Sequence, residues 1–229
     1  MCKKIFLLFL IFISNQCTDI YNPKISPGTG RIIDGYTNQM SFENNDSMEV
    51  FLNADTLLED TRIPIFDING NLVSEFIADI FPQQITEEKP WENGYGYLKT
   101  AKIKIEDLKS GIYFIDNKIP FIAKPSNQVD AIIVYPSNTI NAYNNNEGYS
   151  LYTNPRAHRL SFHRQQNMPR FSLEFFKWVS NFNFGYFCDF DMDNYQNYSY
   201  SDLIIVPGHS EYWSRNAREN FDEFILNGN

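Results

Sequence analysis

The sequence predicts a mixed fold in which a β-sandwich is followed by an α/β unit built on a parallel sheet. Three observations carry this expectation. Short apolar runs separated by turn residues fill positions 31 to 124, the spacing of strands in an Ig-like sandwich. After Lys124-Pro125-Ser126-Asn127 strands alternate with helices from residue 128 to 229, which implies parallel pairing through right-handed crossovers. The run Leu203-Ile204-Ile205-Val206 then reads as a strand buried on both faces. Pro207-Gly208 stops it, and four polar side chains, His209, Ser210, Glu211 and Tyr212, follow at its carboxyl end. In open α/β sheets, ligand sites form in that crevice.

Length and composition set the outer bounds. At 229 residues the chain can bury a core of ordinary size, as one large domain or two modest ones. A hydrophobic content of 43% and an aromatic content of 16% exclude general disorder. The net charge of −9, with basic residues dispersed along the chain, argues against a nucleic-acid partner.

In chain order, Lys3 and Lys4 precede an apolar run from Ile5 to Ile13, too short for a stable bilayer span, which marks residues 1–17 as an export signal. Cys17 directly after it reads as the lipidated residue of a bacterial lipoprotein, with an ordinary secretory peptide as the alternative. Either way the expected location is exported, in the cell envelope, and with Cys17 lipidated only Cys188 remains as a thiol. Residues 18–30, with two Pro and two Gly, form a polar linker. In the β-rich part, Met48–Leu52, Ile63–Ile68, Leu98–Ile105, Gly111–Ile115 and Ile119–Ala123 are the clearest strands. Asn69-Gly70 between apolar runs is a hairpin signal, because both residues accept positive φ. Ala131–Tyr135 is a second buried strand ended by Pro136. Residues 137–170 lack periodicity and are long for a plain loop, so they hold a site or an insertion. Ser172 is expected to cap a helix reaching Asn181, with Phe175, Phe176, Trp178 and Val179 available to pack. Ser214 is expected to cap a last helix whose stripe is Ala217, Phe221, Phe224 and Ile225. About three strands make a thin sheet, so the α/β unit is expected to be a truncated version of a longer domain.

The residues able to do chemistry cluster late. His209 and Glu211, two apart on an extended segment, share a face and can reach one ligand. The blander account has Glu211 capping the following helix and His209 packing beneath it. Asn138–Asn144 also follows a strand's carboxyl end, and Tyr149 and Tyr152 come soon after. Asp189-x-Asp191-x-Asp193 resembles the start of a calcium loop, but Asn194 and Tyr200 replace the Gly and Glu that such a loop needs. It reads instead as a loop of helix-capping carboxylates. His158 and His163, beside Arg159 and Arg164, could bind an anionic group, with a solvated loop as the preferred account.

Taken together, Asn138-Thr139-Ile140-Asn141-Ala142-Tyr143-Asn144, Ser150-Leu151-Tyr152, Leu160-Ser161-Phe162-His163-Arg164, Phe176-Lys177-Trp178 and Pro207-Gly208-His209-Ser210-Glu211-Tyr212-Trp213-Ser214 resemble the family of the N,N-dimethylformamidase large (beta) subunit, carboxy-terminal part. The resemblance runs over roughly residues 130–228. It implies a flavodoxin-like, class I glutamine-amidotransferase-like sheet that carries a mononuclear ferric centre and hydrolyses the C–N bond of a linear, small-molecule amide. Two tyrosines and a glutamate hold the Fe(III) in that family. Carried over, the metal ligands are Tyr143, Glu211 and Tyr152, with Tyr149 open as the alternative second tyrosine. His209 is the catalytic residue, expected to pass a proton to the leaving amine. Phenolate and carboxylate are hard donors suited to such an ion, which acts as a Lewis acid on the carbonyl. The chain departs from relatives at His163-Arg164-Gln165, where they tend to have an acidic residue, Arg and Pro. The competing expectations are a non-catalytic cell-surface protein that binds a glycan or peptide, and an inactive truncated relative. The membrane is met only through the lipid anchor, and a homo-oligomer is left open.

Overall fold

The structure is a computed structural model that describes residues 30–168 and 170–228. The export signal at 1–17, the lipidation site Cys17 and nearly all of the linker 18–30 lie outside the described residues. The protein is β-rich, with several sheets and few helices.

Strands β1 (Ile32–Thr37), β2 (Ser41–Phe42), β3 (Ser47–Ala54), β4 (Leu58–Asp67) and β5 (Leu72–Ile80) come first. A single-turn helix α1 (Pro90–Asn93) follows, then β6 (Ala101–Lys104), β7 (Gly111–Ile115) and β8 (Ile119–Ala123). They form two sheets, β1-β3-β6 and β2-β8-β7-β4-β5, whose pairings are antiparallel except β2 with β8. In β3 the period of two sends Met48, Val50 and Leu52 inward, onto Ile63, Ile65, Ile115 and Phe121 of the other sheet. Asn69-Gly70 makes the β4–β5 hairpin as the sequence predicts. Gly70 takes φ +84°, and the Asp67 carboxylate accepts the N–H groups of Asn69 and Asn71.

The remaining elements are β9 (Ala131–Tyr135), α2 (Ser137–Tyr143), α3 (Arg170–Val179), β10 (Phe184–Cys188), β11 (Ile204–Ile205) and α4 (Arg215–Leu226). The sheet order is β10-β9-β11, and both pairings are parallel. Central β9 is buried on both faces, as its unbroken apolar run allows. Ile133 and Tyr135 pack towards Phe176 and Val179 of α3, while Ile132 and Val134 pack towards Ala217 and Phe224 of α4. The α3 cluster also takes in Ile112 and Ile122, whose neighbours Tyr113 and Phe121 face the other side of the five-stranded sheet. The apolar core therefore continues across Lys124–Asn127, where the composition changes.

Three local expectations differ from the structure. The run Leu203–Val206 pairs with β9 only through Ile204 and Ile205, at the sheet edge, and Leu203 is 52% exposed. Both β10 and β11 are edge strands, but β10 also packs against β7 and β8 while β11 leans mainly on β9, so an apolar run alone does not secure burial. The helix placed from Ser172 begins at Arg170, and Trp178 on it is largely exposed while Phe176 and Val179 are buried. Residues 137–143, which lack apolar periodicity, are nevertheless helical. Among the described residues no helix is long and apolar enough to cross a membrane.

Candidate functional site

The site is assembled on α2, which the chain can form because its first turn is capped from outside. Pro136 at the N-cap offers no side-chain acceptor. Asp189, in the turn after β10, supplies one: its carboxylate accepts the N–H of Asn138 at 3.0 and 3.1 Å and the hydroxyl of Ser137. Burial pushes the Asp189 carboxyl up to about 7, against the pull of these donors. Asp193 accepts the hydroxyl of Ser214, which itself caps α4 by accepting the N–H of Ala217 at 3.0 Å. Asp191 accepts the N–H of Cys188 and the Ser41 hydroxyl, each at 2.8 Å. The acidic triplet thus serves as capping and tethering carboxylates, as its sequence indicates.

Along α2, Thr139 and Tyr143 are four residues apart and so lie on one face. The Thr139 hydroxyl accepts the main-chain N–H groups of Glu211 at 2.8 Å and Tyr212 at 3.2 Å, which pins the loop after β11 to the helix. The carbonyl of Ala142 accepts the N–H of Leu151 at 3.0 Å and so ties in the loop that carries Tyr152. That loop approaches α1 closely. A Cβ on Gly148 (φ +145°) would stand 2.1 Å from the Trp91 ring, so only glycine fits there. At the far end of α2, Arg164 is wholly buried. Its guanidinium donates to the carbonyls of Asn141, Asn144 and Asn146 and to the Asn141 side chain, and its Nε donates to the Ser161 carbonyl. Burial lowers its pKa to about 10, which leaves it charged at neutral pH. His158, Arg159 and His163 are exposed, as a solvated loop requires, and Arg164 alone departs from that account. Arg164 faces inward, Arg159 donates to the Asn93 side chain, and the His163 ring stacks on Tyr36.

These anchors bring four of the predicted residues together. The Tyr152 hydroxyl donates to Glu211 Oε2 at 2.7 Å, and the Tyr143 hydroxyl reaches the same oxygen at 3.3 Å. The two phenol rings stack with centroids 3.9 Å apart and planes 13° off parallel. His209 Nε2 lies 3.0 Å from the Tyr143 hydroxyl oxygen and 3.2 Å from Glu211 Oε1. Tyr149 does not join them; its ring packs edge-on against Trp91. Nor does Glu211 cap a helix, since Ser214 has that role. The cluster contains one residue without a predicted role, Tyr212, whose hydroxyl donates to that of Tyr152 at 2.9 Å. Its place directly after His-x-Glu was the available signal. Hydrogen bonding with Tyr143, then with Tyr212 and Glu211, holds the Tyr152 phenol well above the usual tyrosine range.

Among the described residues no group of three His, Cys, Asp or Glu side chains could hold a metal ion, so a cation here would need the phenols. The donor set suits one. Ligand oxygens about 2.0–2.2 Å from a transition-metal ion stand roughly 3 Å from one another, close to the 3.3 and 2.7 Å that separate the Tyr143 and Tyr152 hydroxyls from Glu211 Oε2. Tyr152 is 45% exposed, so the oxygens are open to solvent.

The sequence profile of the family described as N,N-dimethylformamidase beta subunit-like, C-terminal, matches residues 78–229, about two thirds of the chain. No curated protein matches it.

Proposed function

The chain belongs to the N,N-dimethylformamidase beta subunit-like, C-terminal family, and on that premise we propose that it is an exported, lipid-anchored hydrolase of small linear amides. In this reading Tyr143, Tyr152 and Glu211 hold a ferric ion and His209 is the proton-transfer residue. The two-sheet half is read as an Ig-like sandwich, and the three parallel strands with α3 and α4 as part of a flavodoxin-like, glutamine-amidotransferase-like sheet. The observation that carries the reading is the convergence of both phenol hydroxyls on one carboxylate oxygen. Export rests on Lys3-Lys4, the apolar run after them and Cys17.

A bound ferric ion would supply Lewis-acid polarisation of the amide carbonyl. The remaining work falls to side chains. Tyr143 and Tyr152 must release their protons to act as ligands, so binding is favoured as pH rises. Glu211, from the opposite loop, contributes a third negative charge on the same face. In this reading His209, whose Nε2 lies beside Tyr143 and Glu211, gives a proton to the departing amine nitrogen. The open position of Tyr152 leaves room for a small acyl compound to approach.

Metal analysis and visible absorption of the purified protein test this. The expected result is bound iron with a broad tyrosinate-to-iron charge-transfer band, absent from Glu211→Gln, together with amine release from short linear amides. A protein that stays colourless and metal-free after addition of Fe(III) overturns the reading in favour of a non-catalytic binder.

A further inference from the structure

The Glu211 carboxylate is delivered by a weakly supported segment. β11 has two residues, and residues 206–214 that follow have no regular secondary structure. Gly208 within this segment has φ +50° and open space around it. What ties residues 211 and 212 to the core is the side chain of Thr139, which is 3% exposed. A hydroxyl oxygen has two lone pairs, and that of Thr139 meets two main-chain N–H groups, from Glu211 and Tyr212. Both of these residues put side-chain oxygens into the cluster: Glu211 Oε2 on Tyr152 and Tyr143, and the Tyr212 hydroxyl on Tyr152. One helical turn after Thr139, the same helix carries Tyr143. The Thr139 side chain therefore helps to set the distance between the acid and the phenol that arrive from separate segments.

We propose that Thr139 is a positioning residue of this site, whose hydroxyl holds the main chain of Glu211 in register with Tyr143 so that carboxylate and phenols meet one cation together. The inference rests on the cation-site reading above. Removing the oxygen leaves two N–H groups without their acceptor, and such groups shift to recover partners. Trp213 packs on Phe221 and Ser214 donates to Asp193, but residues 206–210 ahead of them have no regular structure, so the main chain at 211 and 212 can shift.

The test uses Thr139→Val, which keeps the shape and removes the acceptor, and Thr139→Ser, which keeps the oxygen. Fe(III) titration followed at the charge-transfer band is expected to weaken at least tenfold in Thr139→Val and to stay within about threefold of wild type in Thr139→Ser. A metal-free readout accompanies it. Amide exchange of Glu211 and Tyr212 should accelerate in Thr139→Val only, and its crystal structure should carry Glu211 Oε2 beyond about 3.5 Å from the Tyr152 hydroxyl. If Thr139→Val does not fold, Thr139→Ala removes the same oxygen with less bulk and carries the same expectations. Wild-type affinity and an undisplaced Glu211 in the acceptor-less variant overturn the proposal. If wild type shows no band, the functional reading has failed, and the metal-free structure alone decides: a displaced carboxylate supports the positioning role and an undisplaced one overturns it.

Discussion

Among the described residues, two clusters of three tyrosines lie beside a carboxylate, and they behave oppositely. In the β-rich half, Tyr36, Tyr95 and Tyr97 are buried together. The Tyr97 hydroxyl donates to Asp34 at 3.0 Å and accepts from the Asn53 side chain at 3.3 Å, and the Tyr36 hydroxyl accepts the Tyr97 N–H at 3.1 Å. Burial first, then the nearby Asp34 charge, drives Tyr95 and Tyr97 far above the tyrosine range, and burial raises Asp34 itself. Those phenols keep their protons and serve as donors that satisfy a core. In the other half, Tyr143, Tyr152 and Tyr212 gather around Glu211 at the surface. Tyr152 is also raised, but by hydrogen bonds to its neighbours, which a cation arriving from solvent can replace. The same residue types cement one region and, in the function proposed above, form a ligand set in the other. Exposure to solvent separates the two.

The segment 161–166 joins the clusters, and substitutions there should have the largest effect. The His163 carbonyl accepts the Tyr95 N–H at 2.9 Å, while Arg164 holds the end of α2 that carries Tyr143. Arg164→Met strips several carbonyls of their donor and is expected to cost about 3 kcal/mol or more in urea unfolding, with loss of iron binding as well. An unchanged midpoint would mean that this framework does not support either cluster.

Next in size is Tyr97→Phe, which leaves Asp34 and Asn53 short of a partner inside the fold. It should destabilise by about 1–3 kcal/mol while the iron band stays at wild-type intensity. A loss of the band in this variant would break the distinction between the clusters.

Smaller again is a pH effect beneath the exposed cluster. Burial holds the Asp189 carboxyl at about 7 in the folded protein, against about 3.8 for an ordinary aspartate in the unfolded chain. Between those values the folded state holds a proton that the unfolded chain has released. Stability from this group is therefore highest below about pH 4 and falls as pH rises to 7, by at most about 1.4 kcal/mol per unit. Asp189→Asn should flatten that part of the stability profile, measured by urea unfolding at pH 5 and 7.5; an identical slope would argue that Asp189 is ionised throughout.

The smallest effect on stability belongs to the surface cluster. Tyr152→Phe should shift unfolding by no more than about 0.5 kcal/mol and yet abolish the charge-transfer band. A large loss of stability with the band intact would make Tyr152 cement, like Tyr97.

What the sequence determined by itself is local. Ala131–Tyr135 is fit for burial on both faces because no polar residue interrupts it, Asn69-Gly70 turns because positive φ is cheap there, and Ser214 caps. The pairing of His209 with Glu211 on one face followed from the two-residue period of an extended chain. The tertiary structure decided the rest. Residues 137–143 are a helix because Asp189, distant in sequence, caps them. Leu203 is exposed because β11 leans mainly on β9, whereas the opposite edge strand β10 is covered by β7 and β8. Arg164 is interior because carbonyls from separate turns surround it. Tyr152 rather than Tyr149 meets Glu211 because Trp91 occupies the space beside Gly148. Propensity and periodicity act over a few residues, whereas burial and partnership depend on which segments meet, and only the folded chain fixes that.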